Sequence, residues 1–398
     1  MTDPPVDSRK RSAEITFFQK DRGALTKHIE LRNGKIANDS SACRMAKGSA
    51  RRIKINLSDM QAFADLINGF TSREAYALGR LKDGLPDRVK VVRADKLDEA
   101  KGDSTVIART KEHLVFVEGE PALALLDFDF KGMPEDARRR IRERGVWAAL
   151  CTVVPPLDSV ARVTRPSTSA GLRNRLTGET YLGSGGFHAD IAVADAADIP
   201  RFLSDFHDRL WLAGFAWGMV SPAGSFLERS LVDKACGSPE RLIFEGPPVI
   251  EPPLEQERRE AVAHAGDVLD TARACPPLTD AEEAAVLKLK EAEERRLLPE
   301  RREARAKWSA DHIKRMTASG MPEAEARAGR SMDRPQRVNR PIPARVRRPE
   351  AQGRDRRQRH RQAGQIRRPD LERSIRGSRV RPRQSDRLPA RRRIALHQ

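Results

Sequence analysis

Cysteine is scarce in this 398-residue chain, and the four present, Cys43, Cys151, Cys236 and Cys275, lie far apart. No pair has the close spacing of a zinc site. Isolated thiols of this kind read as reduced, cytoplasmic cysteines and not as a disulfide framework. Long apolar runs are also lacking. None approaches the roughly 20 residues that a membrane span needs, so no membrane partner is expected. Residues 1–12 are polar and charged, without the apolar stretch of a secretory signal. Lysine and aromatic residues are both missing from residue 331 onward, and the last aromatic side chain is Trp308.

The composition is 38% hydrophobic and 33% charged, with a formal net charge of +18. A core is attainable, but not over the whole length; the chain suits two domains, or one large core with appendages. The charge by itself suggests a nucleic-acid binder, yet it is unevenly placed. Residues 331–398 hold 22 Arg and six acids, a net of +16. The remainder carries 53 basic and 51 acidic residues and is nearly neutral. Nucleic-acid binding by the folded part must therefore rest on its site.

Residues 1–13 read as disordered. Within 14–103, an N-terminal α/β accessory region, Ile15 to Phe18 and Ile53 to Ile55 read as strands. Asn33-Gly34 reads as a hairpin turn. Ser58-Asp59 opens a helix whose apolar positions are Ala62, Phe63, Leu66 and Ile67, ending near Gly69. A second short helix is expected over 72–81. Across 104–253, strands are expected at 106–108, 114–117, 122–126, 189–193 and 242–244, and helices at 134–144 and 199–213. The unbroken apolar run 122–126 suits a strand buried on both faces. Together these elements give an α+β or α/β class. Residues 254–330 read as a charged helical appendage, with helices at 255–274 and 280–316. Thr279 and Glu282 form a capping box there, and Pro299 is expected to kink or split the second helix.

The sharpest chemical signal is Leu125-Leu126-Asp127-Phe128-Asp129-Phe130. Side chains alternate along a strand, so Asp127 and Asp129 face the same way. Two carboxylates at the end of an apolar strand are costly to bury unpaired, and a hard divalent ion, Mg²⁺ or Mn²⁺, removes that cost. The bland alternative is an edge strand with two solvated acids. Gly183-Ser184-Gly185-Gly186-Phe187-His188 comes next, directly before a strand. Its glycines let backbone N–H groups turn toward an anion, and Ser184 and His188 add donors; a hairpin turn with a structural histidine is the competing account. Third is Leu231-Val232-Asp233, with Arg241 downstream. Asp233 suits a third metal carboxylate, a helix cap or a salt-bridge partner, and Arg241 suits a bidentate phosphate contact. Lys131 is either a phosphate-neutralising cation or a solvated loop charge.

The order of these pieces, apolar-Asp-apolar-Asp, then Gly-x-His before a strand, then apolar-Asp, then Arg, resembles the three motifs of the archaeo-eukaryotic primase superfamily, especially the primase-polymerases of plasmids, phages and integrated elements. The resemblance covers about 105–253. It implies metal-binding and catalytic roles for Asp127, Asp129 and Asp233, and nucleotide binding by Gly186 and His188. Gly186 stands where the family often has serine, and Ser184 is the candidate substitute. The resemblance further implies an RRM-like catalytic half packed on a small α/β half. It implies two-metal nucleotidyl transfer with Mg or Mn, nucleoside triphosphates and a single-stranded DNA template as partners, and a replicative helicase as an associated activity. The alternatives are a non-enzymatic nucleic-acid-binding protein with a degenerate fold of this kind, and a different metal-dependent transferase sharing Asp-x-Asp. For the tail, 331–398, two readings stand. One is a disordered basic segment binding nucleic acid through counterion release. The other is the product of a frameshift in a GC-rich gene, which yields arginine without lysine.

Overall fold

In the computed structural model, residues 11–39, 41–100, 102–181 and 186–325 are described. The basic tail, most of the N-terminal segment expected to be disordered, and Gly183, Ser184 and Gly185 lie outside these residues. The strand Ser12–Lys20 organises the N-terminal half. Ala13, Ile15 and Phe17 alternate on one face and Thr16 and Phe18 on the other, and all are buried. A strand buried on both faces must sit inside a sheet with cover on each side. It pairs antiparallel with Lys47–Asn56 and with Glu74–Ala77. Arg88–Val92 and Val106–Ala108 complete five strands.

The helix Met60–Asn68 lies between this sheet and a second one, touching strands of both. Asp59 caps it by accepting from the Ala62 N–H, which satisfies one of the orphan donors of its first turn. Met60, Phe63, Ala64 and Ile67 recur at helical spacing and are buried. Phe63 stacks edge-on against Tyr76. Replacing Phe63 by alanine removes about 3–5 kcal/mol of packing from this layer. The Asn33-Gly34 turn forms as expected: His28–Arg32 pairs with Lys35–Asp39, and both turn residues take positive φ, 51° and 71°, the geometry of a type I′ hairpin.

The second sheet is the central one. Its order is Ala122–Phe128, Phe187–Val193, Arg162–Pro166, Val262–His264, antiparallel throughout. Residues 122–126 are all buried, as their unbroken apolar run predicts. The helix Ile199–Leu212 buries Ile199, Phe202, Leu203, Phe206 and Leu210 in the core that includes this sheet. The described residues are mixed α+β.

Several local expectations differ from what is observed. Residues 72–81 form strands, Glu74–Ala77 and Arg80–Leu81, where a helix is expected. The first pairs with Ser12–Lys20, and tertiary pairing outweighs the weak helix preference of the segment. Residues 255–274 are likewise largely not helical. Leu254–Gln256 pairs with Leu172–Asn174, and Val262–His264 is the edge of the central sheet. Only Thr271–Ala274 is helical there. The expected strand at 242–244 is a single bridge, Ile243 to Tyr76. Val106–Ala108 belongs to the N-terminal sheet, and the central sheet extends to His264. Beyond it, the charged helices form as expected. Asp280–Arg296 has the Thr279/Glu282 capping box, and Leu298–Ala318 restarts at Pro299, where proline is tolerated in the first turn. Among the described residues no helix is long and apolar enough to cross a membrane.

Candidate functional site

The register of the central sheet builds the site. Asp127 stands opposite His188, and His188 opposite Arg165 on the next strand. Neighbouring strands lie about 4.8 Å apart, so an acid, an imidazole and a guanidinium form one row across three strands. His188 Nε2 is 3.5 Å from Asp127 Oδ1. Its Nδ1 bonds the Glu245 carboxylate. Glu245 in turn pairs with Arg165 at 3.1 Å, and its carbonyl accepts from Arg165 at 2.6 Å. The Glu245 side chain is 1% exposed and that of Arg165 5%. The segment carrying Glu245 is held in place by the Ile243–Tyr76 bridge, with N–H···O distances of 2.7 and 3.2 Å.

Asp233 enters from a separate segment. Leu231 and Val232 are fully buried and anchor it. Its backbone N–H donates to the Asp127 carbonyl at 3.2 Å. One carboxylate oxygen accepts from the Ala235 N–H at 2.9 Å, and the other from Arg241 at 3.0 Å. Helix capping and the salt bridge, the bland readings of Asp233, are therefore both present, and they hold the carboxylate beside Asp127. Ligand atoms of Asp127, Asp233 and Cys236 lie within 4.8 Å of one another. The Cys236 thiol is buried, and burial together with the Asp127 and Asp233 charges pushes its pKa well up. The two carboxylates supply the hard anionic oxygens that suit a divalent cation such as Mg²⁺ or Mn²⁺.

Asp129 lines the same cleft. It lies one residue beyond the strand, and its carboxylate accepts from the Lys131 N–H at 2.8 Å. It is outside the tight Asp127–Asp233–Cys236 group. Lys131 and Arg241 also line the cleft, together with Lys27, Arg109 and Lys234. Its volume is about 710 Å³, within the range of roughly 300–1,000 Å³ usual for nucleotide-sized ligands. Gly186 is buried, and its carbonyl accepts from the Ser167 N–H at 2.9 Å.

Behind the row lies a buried polar layer that the sequence did not single out. Asp190 is two residues after His188 on the same strand face and is 2% exposed. Tyr76 Oη lies 2.8 Å from both of its carboxylate oxygens. Burial raises the Asp190 pKa to about 7, helped by the Glu245 charge and opposed by Tyr76 and His188. For His188, burial lowers the pKa, but the Glu245 charge and hydrogen bond, with the Asp127 and Asp190 charges, outweigh it and lift the value to about 9. His188 is thus cationic at neutral pH, Nδ1 donating to Glu245 and Nε2 facing the Asp127 carboxylate. Asp190 was within reach of sequence reasoning, since period two places it beside His188. Glu245, Arg165 and Tyr76 join only through strand pairing. A second acidic group, His207, Asp208 and Glu228, is compact enough for an ion. Lys290 already pairs with Asp208 at 2.7 Å and Glu228 at 3.0 Å, and Lys234 adds to Glu228. These ammonium groups supply the compensating charge.

No family model, curated protein or solved structure matches this chain.

Proposed function

We propose that the chain is a metal-dependent nucleotidyltransferase of the primase-polymerase kind, acting on nucleoside triphosphates along a single-stranded DNA template. The observation that carries this reading is convergence. Asp127, His188, Asp233 and Arg241, from three separated segments, line one cleft of nucleotide size. In this reading Asp127 and Asp233 hold Mg²⁺ or Mn²⁺, with Asp129 reaching the same cleft from the end of its strand. When bound, such ions stabilise the attacking and leaving oxygens of an in-line phosphoryl displacement. The cationic His188 and the guanidinium of Arg241 bind and orient the triphosphate by charge-assisted hydrogen bonds, with Lys131 at the rim. Glu245 holds the His188 ring in its donating orientation.

The test is primer synthesis from labelled nucleotides on single-stranded DNA with Mn²⁺. Asp127→Asn and Asp233→Asn should each lower the rate by roughly a thousandfold or more, because the loss of metal stabilisation is worth several kcal/mol and each 1.36 kcal/mol is tenfold. Synthesis that persists in both variants refutes the assignment. DNA binding by the wild type without any nucleotide incorporation favours a non-enzymatic binder with this fold.

A further inference from the structure

A second, smaller cavity opens beside the large cleft. It has a volume of about 130 Å³ and is lined by Arg165, Arg258 and Arg259 together with Ser167, Thr168, Gln256 and Glu257. Ser167 and Thr168 line the large cleft as well, so the two spaces share a wall. That wall is fixed in place. Thr168 Oγ1 donates to the Phe244 carbonyl at 2.6 Å, and Gln256 Nε2 donates to the carbonyls of Thr168 and Ala170 at 2.8 and 2.7 Å. Gly171 closes the turn at a φ of 71°, where an added Cβ would sit 2.3 Å from the Glu257 carbonyl oxygen.

Three guanidiniums against the one exposed carboxylate of Glu257 leave the charge of this cavity unbalanced. Arg165 and Arg258 both donate to the carbonyl of Glu245, each at 2.6 Å. The Glu245 carboxylate is committed to Arg165 and His188. Among the described residues neither Arg258 nor Arg259 forms an ion pair. A half-buried guanidinium beside a second one, sharing a single spent carboxylate, favours an anion in the remaining space. Burial, and then the Arg165 charge, lower the Arg258 pKa, with the Glu245 charge opposing them.

We propose that this side pocket is a phosphate subsite, holding one phosphate group of a nucleotide or nucleic-acid strand. Its size sets that limit: about 130 Å³ is well below the roughly 300 Å³ at which pockets begin to take whole drug-sized ligands, so a phosphate enters and a nucleoside does not. Arg258 and Arg259 supply the guanidinium forks suited to phosphate oxygens, and Arg165 supplies field from behind. The connection to a strand or nucleotide rests on the nucleotidyltransferase reading; the phosphate site does not.

The experiment separates the two. Inorganic phosphate is titrated into the full chain in EDTA and its line broadening followed by ³¹P NMR. Saturable binding is expected, weakened at least tenfold in the double variant Arg258→Gln/Arg259→Gln. Arg356→Gln/Arg357→Gln removes the same charge from the basic tail and should leave the binding as it was. Equal weakening by the tail pair, or no saturable binding in a folded wild type, overturns the proposal, whatever the outcome of primer synthesis. Competition arms identify the source. Displacement of phosphate by a nucleoside triphosphate points to the nucleotide, and displacement by an oligodeoxynucleotide points to the strand. Displacement by neither also overturns it.

Discussion

Glu245→Gln is the most informative single perturbation, because one buried carboxylate serves both Arg165 and His188. The substitution keeps shape and removes charge. At 3.1 Å, and with an effective dielectric of about 20, the Arg165–Glu245 attraction is on the order of 5 kcal/mol. Breaking a buried pair from one side costs about 3–5 kcal/mol. Relief of the repulsion between Glu245 and Asp190 offsets part of this, so a net loss near 3 kcal/mol is expected at neutral pH. The loss should depend on pH with a definite sign. The His188 pKa is raised from 6.5 to about 9 by its acidic partners against its burial. Its contribution to stability is therefore full below about pH 6.5 and disappears as pH rises through about 9. Urea unfolding of wild type and variant at pH 6 and pH 10 measures this. The difference should be larger at pH 6, with a residual cost at pH 10 from Arg165. A cost below about 1 kcal/mol at pH 6, or one identical at both pH values, would refute the assignment of Glu245 as the shared partner.

Three further outcomes follow from the same layer and from the tail. Asp190 has its pKa raised from 3.8 to about 7, chiefly by burial, so the fold favours its protonated form; wild-type stability should fall between about pH 4 and 7, by at most roughly 4 kcal/mol, and Asp190→Asn should flatten that slope in urea melts. If the slope survives in the variant, another group is responsible. His188→Ala should weaken nucleoside triphosphate binding at least tenfold by calorimetry while leaving Glu245 and Arg165 paired; unchanged affinity returns His188 to a structural role. Deleting residues 331–398 removes 22 arginines and should make the dependence of DNA binding on log salt shallower; an unchanged slope would place the binding charge in the rest of the chain.

Much of the local structure was legible without coordinates. The unbroken run Ala122 to Leu126 suited a strand covered on both faces, and all five residues are buried in one. Met60–Asn68 and the Thr279/Glu282 capping box followed from periodicity and end chemistry, which are local and need no partner. Asn33-Gly34 fixed a hairpin because few other residues accept two consecutive positive φ angles. The segments at 72–81 and 255–274 went the other way. Their composition permits a helix, and strand partners far away in sequence, Ser12–Lys20 for one and Leu172–Asn174 and Arg162–Pro166 for the other, decide otherwise. Pairing energy of that kind is invisible in a short window.

The site divides along the same line. Sequence order alone singled out Asp127, His188, Asp233 and Arg241, because a carboxylate after an apolar run and a histidine after glycines are local patterns. It could not set Asp129 apart from Asp127, since strand alternation treats them alike; the strand ends at Phe128, and past that point Asp129 turns to the Lys131 N–H. Nor could it supply Arg165, Glu245 and Tyr76, which carry no motif. Arg165 reaches His188 only through the antiparallel register of two strands, and Glu245 only through the bridge that ties Ile243 to Tyr76. Local chemistry selects residues that are able to act; which of them share one buried, low-dielectric space, and so shift each other's charge, is settled by how strands distant in sequence are paired.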